Sequence, residues 1–336
     1  MASNKLQLDT SIVDDEFIAR LLRKDRTTVA RAISMVEARG EKAAALLQRI
    51  FAHTGRAFRA GITGPPGAGK STMTSALARQ VRAKGFSVGV IAVDPSSPFT
   101  QGAVLGDRVR MNSIEADSEV FIRSMATRGM TGGLSATTSD AADVMDAAGF
   151  DYIFIESVGI GQVELKIEQV VDMTIVMLVP ESGDQVQAIK AGLMEIADIY
   201  VLNKSDRPGG QSALYALKSA LGFATARAQD RPPAVLATVA SQGGGIVELF
   251  DEMEKHRDYL ATDGELMRRR ERALRARIKD HLNELLATSF WSSQRERQLH
   301  DAVALARQGK TSPQQLAREL LAEYLQLRKK AGVLKR

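Results

Sequence analysis

An α/β fold with a mostly parallel, doubly wound sheet, flanked by helical extensions at both ends, is predicted by three observations in this 336-residue chain. The stretch Gly64-Pro65-Pro66-Gly67-Ala68-Gly69-Lys70-Ser71 reads G-x-x-x-x-G-K-S, between the apolar approach Gly61-Ile62-Thr63 and a helically spaced run. From residue 60 onward, short apolar β-branched runs alternate with helix-like stretches, the pattern of a sheet covered on both faces. Before residue 58 and beyond about residue 261, only helical periodicity is found.

Residues 1–58 are expected to form a small helical extension. Phe17, Ile18, Leu21 and Leu22 lie on one face, Val29, Ile33 and Val36 repeat it, and Ala43, Leu46, Leu47 and Ile50 repeat it again. Gly40 and Gly55 are stop signals, and His53 beside the second is read as a packing or surface histidine. Residues 59–260 carry the sheet, with strands expected at 86–93, 120–122, 152–155, 173–179, 199–202 and 234–239. Helices such as 136–148 and 184–197 separate them.

Residues 261–336 are charged and helical. Arg268, Arg269, Arg270, Arg272, Arg275, Arg277 and Lys279 crowd one segment without interleaved aromatics, so a solvated helix face is preferred to a nucleic-acid patch. Ser312-Pro313-Gln314-Gln315 opens the last helix with an N-cap serine. Its stripe Leu316, Leu320, Tyr324 and Leu327 is expected to pair with a second copy, with Phe290 and Trp291 as anchors and packing within the chain as the alternative.

The glycine loop implies a nucleoside triphosphate. Its glycines let successive backbone N–H groups converge on an anion, and the following helix adds its positive end. Lys70 is placed to reach the β- and γ-phosphates, and the Ser71 hydroxyl to sit on Mg²⁺. Gly64, Pro66, Gly67, Ala68, Gly69 and Thr72 complete the phosphate-binding set.

Further motifs fall at strand ends, where ligands sit in such sheets. Asp94, in Asp94-Pro95-Ser96-Ser97-Pro98, is a candidate Mg²⁺ carboxylate, with ordinary turn chemistry as the alternative. Glu156-Ser157-Val158-Gly159 reads as D-x-x-G with Glu for Asp. Gly159 would offer its N–H to a γ-phosphate, and Glu156 would support the Mg²⁺ water shell. The next position holds the water-orienting Gln in Ras-like proteins; here it is Ile160, which cannot position water.

Asn203-Lys204-Ser205-Asp206 matches N-K-x-D. Asp206 can accept from N1–H and the exocyclic amine of guanine, whereas adenine would leave that carboxylate unpaired. Lys204 would lie along the base. Ala240, just past the last strand run, joins the nucleotide-binding set. In residues 182–190, Asp184, Gln187 and Lys190 share a helical face, a spacing that an ordinary polar face has as well.

Composition narrows the classes. With no cysteine, disulfides, thiolate metal sites and cysteine nucleophiles are excluded. No apolar run is long enough for a membrane helix, and the acidic N-terminal segment lacks a secretory pattern, which fits a cytoplasmic location. Four scattered histidines argue against a nickel-insertion GTPase, and no acceptor-pocket base is evident for a phosphotransferase.

The phosphate loop with Val-Asp-Pro-Ser-Ser-Pro (93–98), Leu-Gly-Asp-Arg-Val-Arg-Met (105–111), Glu-Ser-Val-Gly-Ile-Gly-Gln (156–162), Gly-Asp-Gln-Val-Gln-Ala-Ile-Lys-Ala-Gly (183–192) and Asn-Lys-Ser-Asp (203–206) resembles the methylmalonyl-CoA mutase-associated GTPases. The resemblance is close over about residues 60–260. It implies a slow GTPase, binding GTP/GDP and Mg²⁺, that acts as a metallochaperone for an adenosylcobalamin-dependent acyl-CoA mutase. The client implied is a methylmalonyl-, isobutyryl- or 2-hydroxyisobutyryl-CoA mutase, with a cobalamin adenosyltransferase as a further partner. It also implies a homodimer through the C-terminal arm, and the composition above leads to no expected nucleic-acid or membrane partner. Carried over by motif, Ser71, Asp94, Asp107 and Glu156 fall at Mg²⁺-site positions. Asp184 and Lys190 fall in a switch that rearranges on mutase binding and brings Lys190 toward the nucleotide, as catalytic residues beside Lys70. Gln101, Val163 and Ser205 depart from the family pattern, and the Pro-Phe-Thr form at 98–100 suggests a subgroup.

Overall fold

The computed structural model describes residues 13–94, 114, 116–126, 136–157, 167–180, 196–225 and 232–330. Seven strands form one sheet: β1 (Phe58–Thr63), β2 (Val88–Asp94), β3 (Val120–Ala126), β4 (Tyr152–Glu156), β5 (Met173–Leu178), β6 (Ile199–Asn203) and β7 (Ala234–Thr238). Their order is β3-β2-β4-β1-β5-β6-β7, and every neighbouring pair is parallel. Both faces are covered, which is why these strands read as unbroken apolar runs. In β4, Tyr152 and Phe154 enter one buried cluster and Ile153 and Ile155 the other, the alternation of a pleated strand.

One face is covered by α4 (Lys70–Ala83) and a later helix that follows β7, α7 (Ile246–Thr262). The opposite face carries α5 (Ala136–Ala147), and α6 (Gly210–Thr225) covers β5 and β6. The three N-terminal helices form where their apolar spacing predicts: α1 (Asp15–Leu22), α2 (Arg26–Ala38) and α3 (Glu41–Ile50). Asp14 and Asp25 cap the first two by accepting from the N–H groups of Phe17 at 2.7 Å and Thr28 at 2.9 Å. These helices have no separate core, because Leu21, Ile33 and Leu46 share a cluster with Met145 of α5 and with Ile153 and Ile155. The helix expected over 184–197 lies, up to residue 195, outside the described residues.

The last three helices are α8 (Glu265–Phe290), α9 (Ser293–Arg307) and α10 (Pro313–Lys330). The chain divides within α8 into two compact units, Met1–Ala273 and Leu274–Arg336.

Within the first unit the arginine cluster is not a uniformly solvated face. Arg269 donates twice to Asp198, at 2.8 Å each, and Arg270 donates to Asp172 at 2.7 and 2.8 Å. Arg270 also donates to the carbonyl of Ala57 at 2.9 Å. Asp172 is buried immediately before β5, and Asp198, with 9% of its side chain exposed, stands immediately before β6, at the opposite end of the sheet from the glycine loop. Carboxylates in such a place require compensating charge, and two of the arginines supply it.

Within the second unit α9 and α10 pack together. Arg295 is buried, donates to the Leu320 carbonyl at 3.0 Å and lies over the rings of Phe290 and Tyr324. Leu316, Leu320 and Tyr324 are half-buried in this pair, while Leu327, Trp291 and the α8 row Ile278, Leu282 and Leu285 are exposed. Ser312 caps α10 as its sequence predicts, accepting from the Gln315 N–H at 3.2 Å. No described helix is long and apolar enough to cross a membrane.

Candidate functional site

The strand order turns at β1. From it the chain goes past β4 to β2 and β3, and later fills the other side with β5, β6 and β7. The loop after β1 therefore opens at the carboxyl ends of β1, β4 and β5, where such sheets bind ligands.

Two glycines make that loop possible. Gly64 has φ +140°, and a Cβ there would run into the Met177 carbonyl oxygen on β5. Gly69 is the left-handed N-cap of α4 at φ +90°, and a Cβ would stand 2.6 Å from the Asn203 side-chain nitrogen. Gly69 has no side chain with which to cap α4, so among the described residues the start of the helix is suited to an anion. Lys70 is buried and its Nζ lies across the loop, donating to the carbonyls of Gly64 at 2.9 Å and Pro65 at 3.2 Å. Pro66 and Gly67 are exposed at the tip, and Thr72 is half-buried on α4.

Behind the loop, Ser71 and Glu156 meet. The Ser71 hydroxyl donates to Glu156 Oε1 at 2.7 Å, and the Thr74 hydroxyl lies 3.2 Å from Oε2. The end of β4 is fixed to β1 by Ser157, whose N–H donates to the Ile62 carbonyl at 3.0 Å and whose Oγ donates to Thr63 Oγ1 at 2.8 Å.

Beside the loop lies the Asn203–Asp206 segment. Asn203 donates to the Ala68 carbonyl at 2.8 Å, and its Oδ1 accepts from Thr238 Oγ1 and from the Ala240 N–H, each at 3.1 Å. Lys204, at φ +56°, donates to the Gly67 carbonyl at 2.8 Å. Asp206 is exposed two residues further on.

The structure thus brings Lys70, Ser71 and Glu156 to one side of the loop and Asn203, Lys204 and Ala240 to the other. Asp94 closes β2, its backbone in register with Ala126. Asp107, Gly159, Ile160, Asp184 and Lys190 lie outside the described residues.

Sequence reading missed Thr74 and Thr238. A polar β-branched residue four positions past Lys70, among the buried side chains Met73, Ala76 and Leu77, was the available signal for Thr74. Thr238 had none, since it ends an ordinary strand.

A hard divalent cation fits this donor set, because the serine hydroxyl and the carboxylate are both oxygen ligands. Among the described residues no cluster of three or more His, Asp or Glu forms a metal site by itself. Mg²⁺ bound with a nucleotide takes most of its ligands from phosphate and water, which suits such a sparse set.

The family model described as methylmalonyl-CoA mutase-associated GTPase MeaB matches residues 29–295. A Pyrococcus abyssi protein classed as a GTPase is 44% identical over 314 residues, covering 93% of this chain and 97% of its own. The GTPase ArgK of Escherichia coli is 34% identical over 319 residues, 93% and 96% of the two chains. The mouse mitochondrial methylmalonic aciduria type A homolog is 36% identical over 277 residues, 76% of this chain and 66% of that one. The crystal structure of a LAO/AO transport system kinase matches with a TM-score of 0.70 at 30% identity, covering 93% of this chain and 97% of the other. A phosphate loop on a doubly wound parallel sheet, with the family match over most of the chain, leads to one conclusion: the chain belongs to the family of methylmalonyl-CoA mutase-associated GTPases.

Proposed function

We propose that this protein binds GTP and GDP with Mg²⁺ and hydrolyses GTP as a chaperone of an adenosylcobalamin-dependent acyl-CoA mutase. The observation that carries the nucleotide reading is the pair of bonds from Asn203 and Lys204 to the carbonyls of Ala68 and Gly67. These bonds hold a guanine-type motif against a phosphate loop, so one ligand can engage both. Asp206 would accept the two guanine donors, and the uncapped start of α4 with Lys70 would hold the phosphates. Mg²⁺, when bound, neutralises charge developing on the phosphate oxygens. Ser71 and Glu156 are the described residues that would hold it, with Asp94 and Asp107 as the remaining proposed ligands.

Ile160 leaves the water-orienting position without a polar group. Asp184 and Lys190 are the proposed substitutes, recruited when the mutase binds, so turnover is slow until the partner is present. The family match supports an acyl-CoA mutase as that partner, and the same reading extends to a cobalamin adenosyltransferase as a further contact. A homodimer formed through the C-terminal arm would cover the exposed α8 row of Ile278, Leu282 and Leu285. The working location is the cytoplasm.

The test is GTP hydrolysis by the purified protein, alone and with methylmalonyl-, isobutyryl- and 2-hydroxyisobutyryl-CoA mutases, with ATP as control. Slow GTP-specific turnover that rises with one mutase is expected. Brisk turnover indifferent to every mutase, or a preference for ATP, would overturn the reading.

A further inference from the structure

Thr74 is a fully buried polar side chain outside the sequence-predicted nucleotide set. It sits on α4, and its hydroxyl is 3.0 Å from the Lys70 carbonyl and 3.2 Å from Glu156 Oε2. Both neighbours are acceptors, whereas a hydroxyl has one proton to give. The other oxygen of Glu156 is held separately, by the Ser71 hydroxyl at 2.7 Å. Each oxygen of this buried carboxylate thus has its own hydroxyl on α4, three residues apart, and the pair of contacts fixes the orientation of the carboxylate plane.

We infer that Thr74 is a positioning residue for the divalent cation: its hydroxyl holds Glu156 Oε2 so that Oε1 stays beside the Ser71 hydroxyl. The inference rests on the nucleotide and Mg²⁺ reading above and adds a residue to it. The Lys70 carbonyl gives the arrangement a second state. If Glu156 turns away, the Thr74 proton passes to that carbonyl four residues back, a bond that threonine readily makes within a helix. The Thr74 hydroxyl therefore keeps an acceptor in either state, and reorientation of Glu156 does not add the penalty of an orphaned Thr74 donor. A valine fills the same space and can do neither.

The experiment is binding of fluorescent GDP as Mg²⁺ is titrated, and again in EDTA, for wild type, Thr74→Val, Thr74→Ser and Thr74→Ala. Thr74→Val is expected to raise the half-saturating Mg²⁺ concentration about ten-fold, the effect of losing one charge-assisted hydrogen bond. Its affinity for GDP in EDTA should stay within about two-fold of wild type, and Thr74→Ser should restore the Mg²⁺ requirement. Thr74→Ala, with thermal melts of all four proteins, supplies the same reading if the valine variant does not fold. An unchanged Mg²⁺ requirement in the valine and alanine variants overturns the inference. So does an equal loss with and without Mg²⁺, or a serine variant that restores nothing. Wild type that binds no guanine nucleotide would instead overturn the nucleotide reading, and wild type that binds it without help from Mg²⁺ would overturn the Mg²⁺ reading and this inference with it; both results are read from wild type alone.

Discussion

Asn203 does three things with one amide. It donates to the phosphate loop at Ala68 and accepts from Thr238 and from the N–H of Ala240, all in buried surroundings. Truncating it would leave several of those groups unpaired, at about 1–3 kcal/mol each. Asn203→Ala is therefore expected to weaken GDP binding by roughly 30-fold or more, measured by displacement of a fluorescent analogue. A change under about three-fold would mean that the loops hold each other by other contacts. Much at this scale is legible in the sequence. Lys70, Ser71, Glu156 and Asn203 stand out because each belongs to a short pattern at a strand end. Thr74 and Thr238 do not, because their partners are 82 and 35 residues away and impose no spacing on the sequence.

The same contrast holds for whole elements. Helices announce themselves by period and strands buried on both faces by unbroken apolar runs, so α1 through α3 and β4 could be read directly. The role of α8 could not, because a helix rich in arginine looks the same whether solvent or buried carboxylates face it. Arg269 and Arg270 join carboxylates 71 and 98 residues distant, beneath β6 and β5.

Asp198 is expected to make that end of the sheet sensitive to acid. Burial opposes its ionisation, but the neighbouring His256 and Arg269 outweigh it and hold the carboxyl below the usual range. A depressed carboxyl stabilises the fold above its unfolded value near 3.9, and the contribution is lost as pH falls through the lower folded value. Asp198→Asn is expected to cost about 3 kcal/mol at pH 7, yet to show a shallower further loss between about pH 5 and 3. Urea midpoints across that range check it. A slope equal to wild type would show that Asp198 contributes little to the acid transition.

At the scale of the whole molecule, the second unit presents apolar surface without a described cover. Ile278 is 59% and Leu285 is 68% exposed on α8, seven residues apart and so on one side of the helix. The proposed homodimer predicts that Leu285→Asp and Ile278→Asp shift the protein toward monomer in sedimentation velocity. Wild type that sediments as a monomer at micromolar concentration would remove the dimer from the reading. The sequence reading assigned the pairing face to Leu316, Leu320, Tyr324 and Leu327, with packing within the chain as the alternative, and of these Leu327 is exposed. Tyr324 and Leu320 are engaged by Arg295 of the same chain, and the leucines of α8 remain open.

The carboxylates beneath β5 and β6 also set a minimum length for any shortened form of this protein. A fragment ending near residue 260 would contain every nucleotide motif and all seven strands. It would also retain two buried negative charges stripped of Arg269 and Arg270, a deficit of about 3–5 kcal/mol for each broken pair. A free-standing hydrolase must extend at least through Arg270, so the opening turns of α8 belong to the catalytic body and only the residues beyond them can be trimmed, swapped or fused.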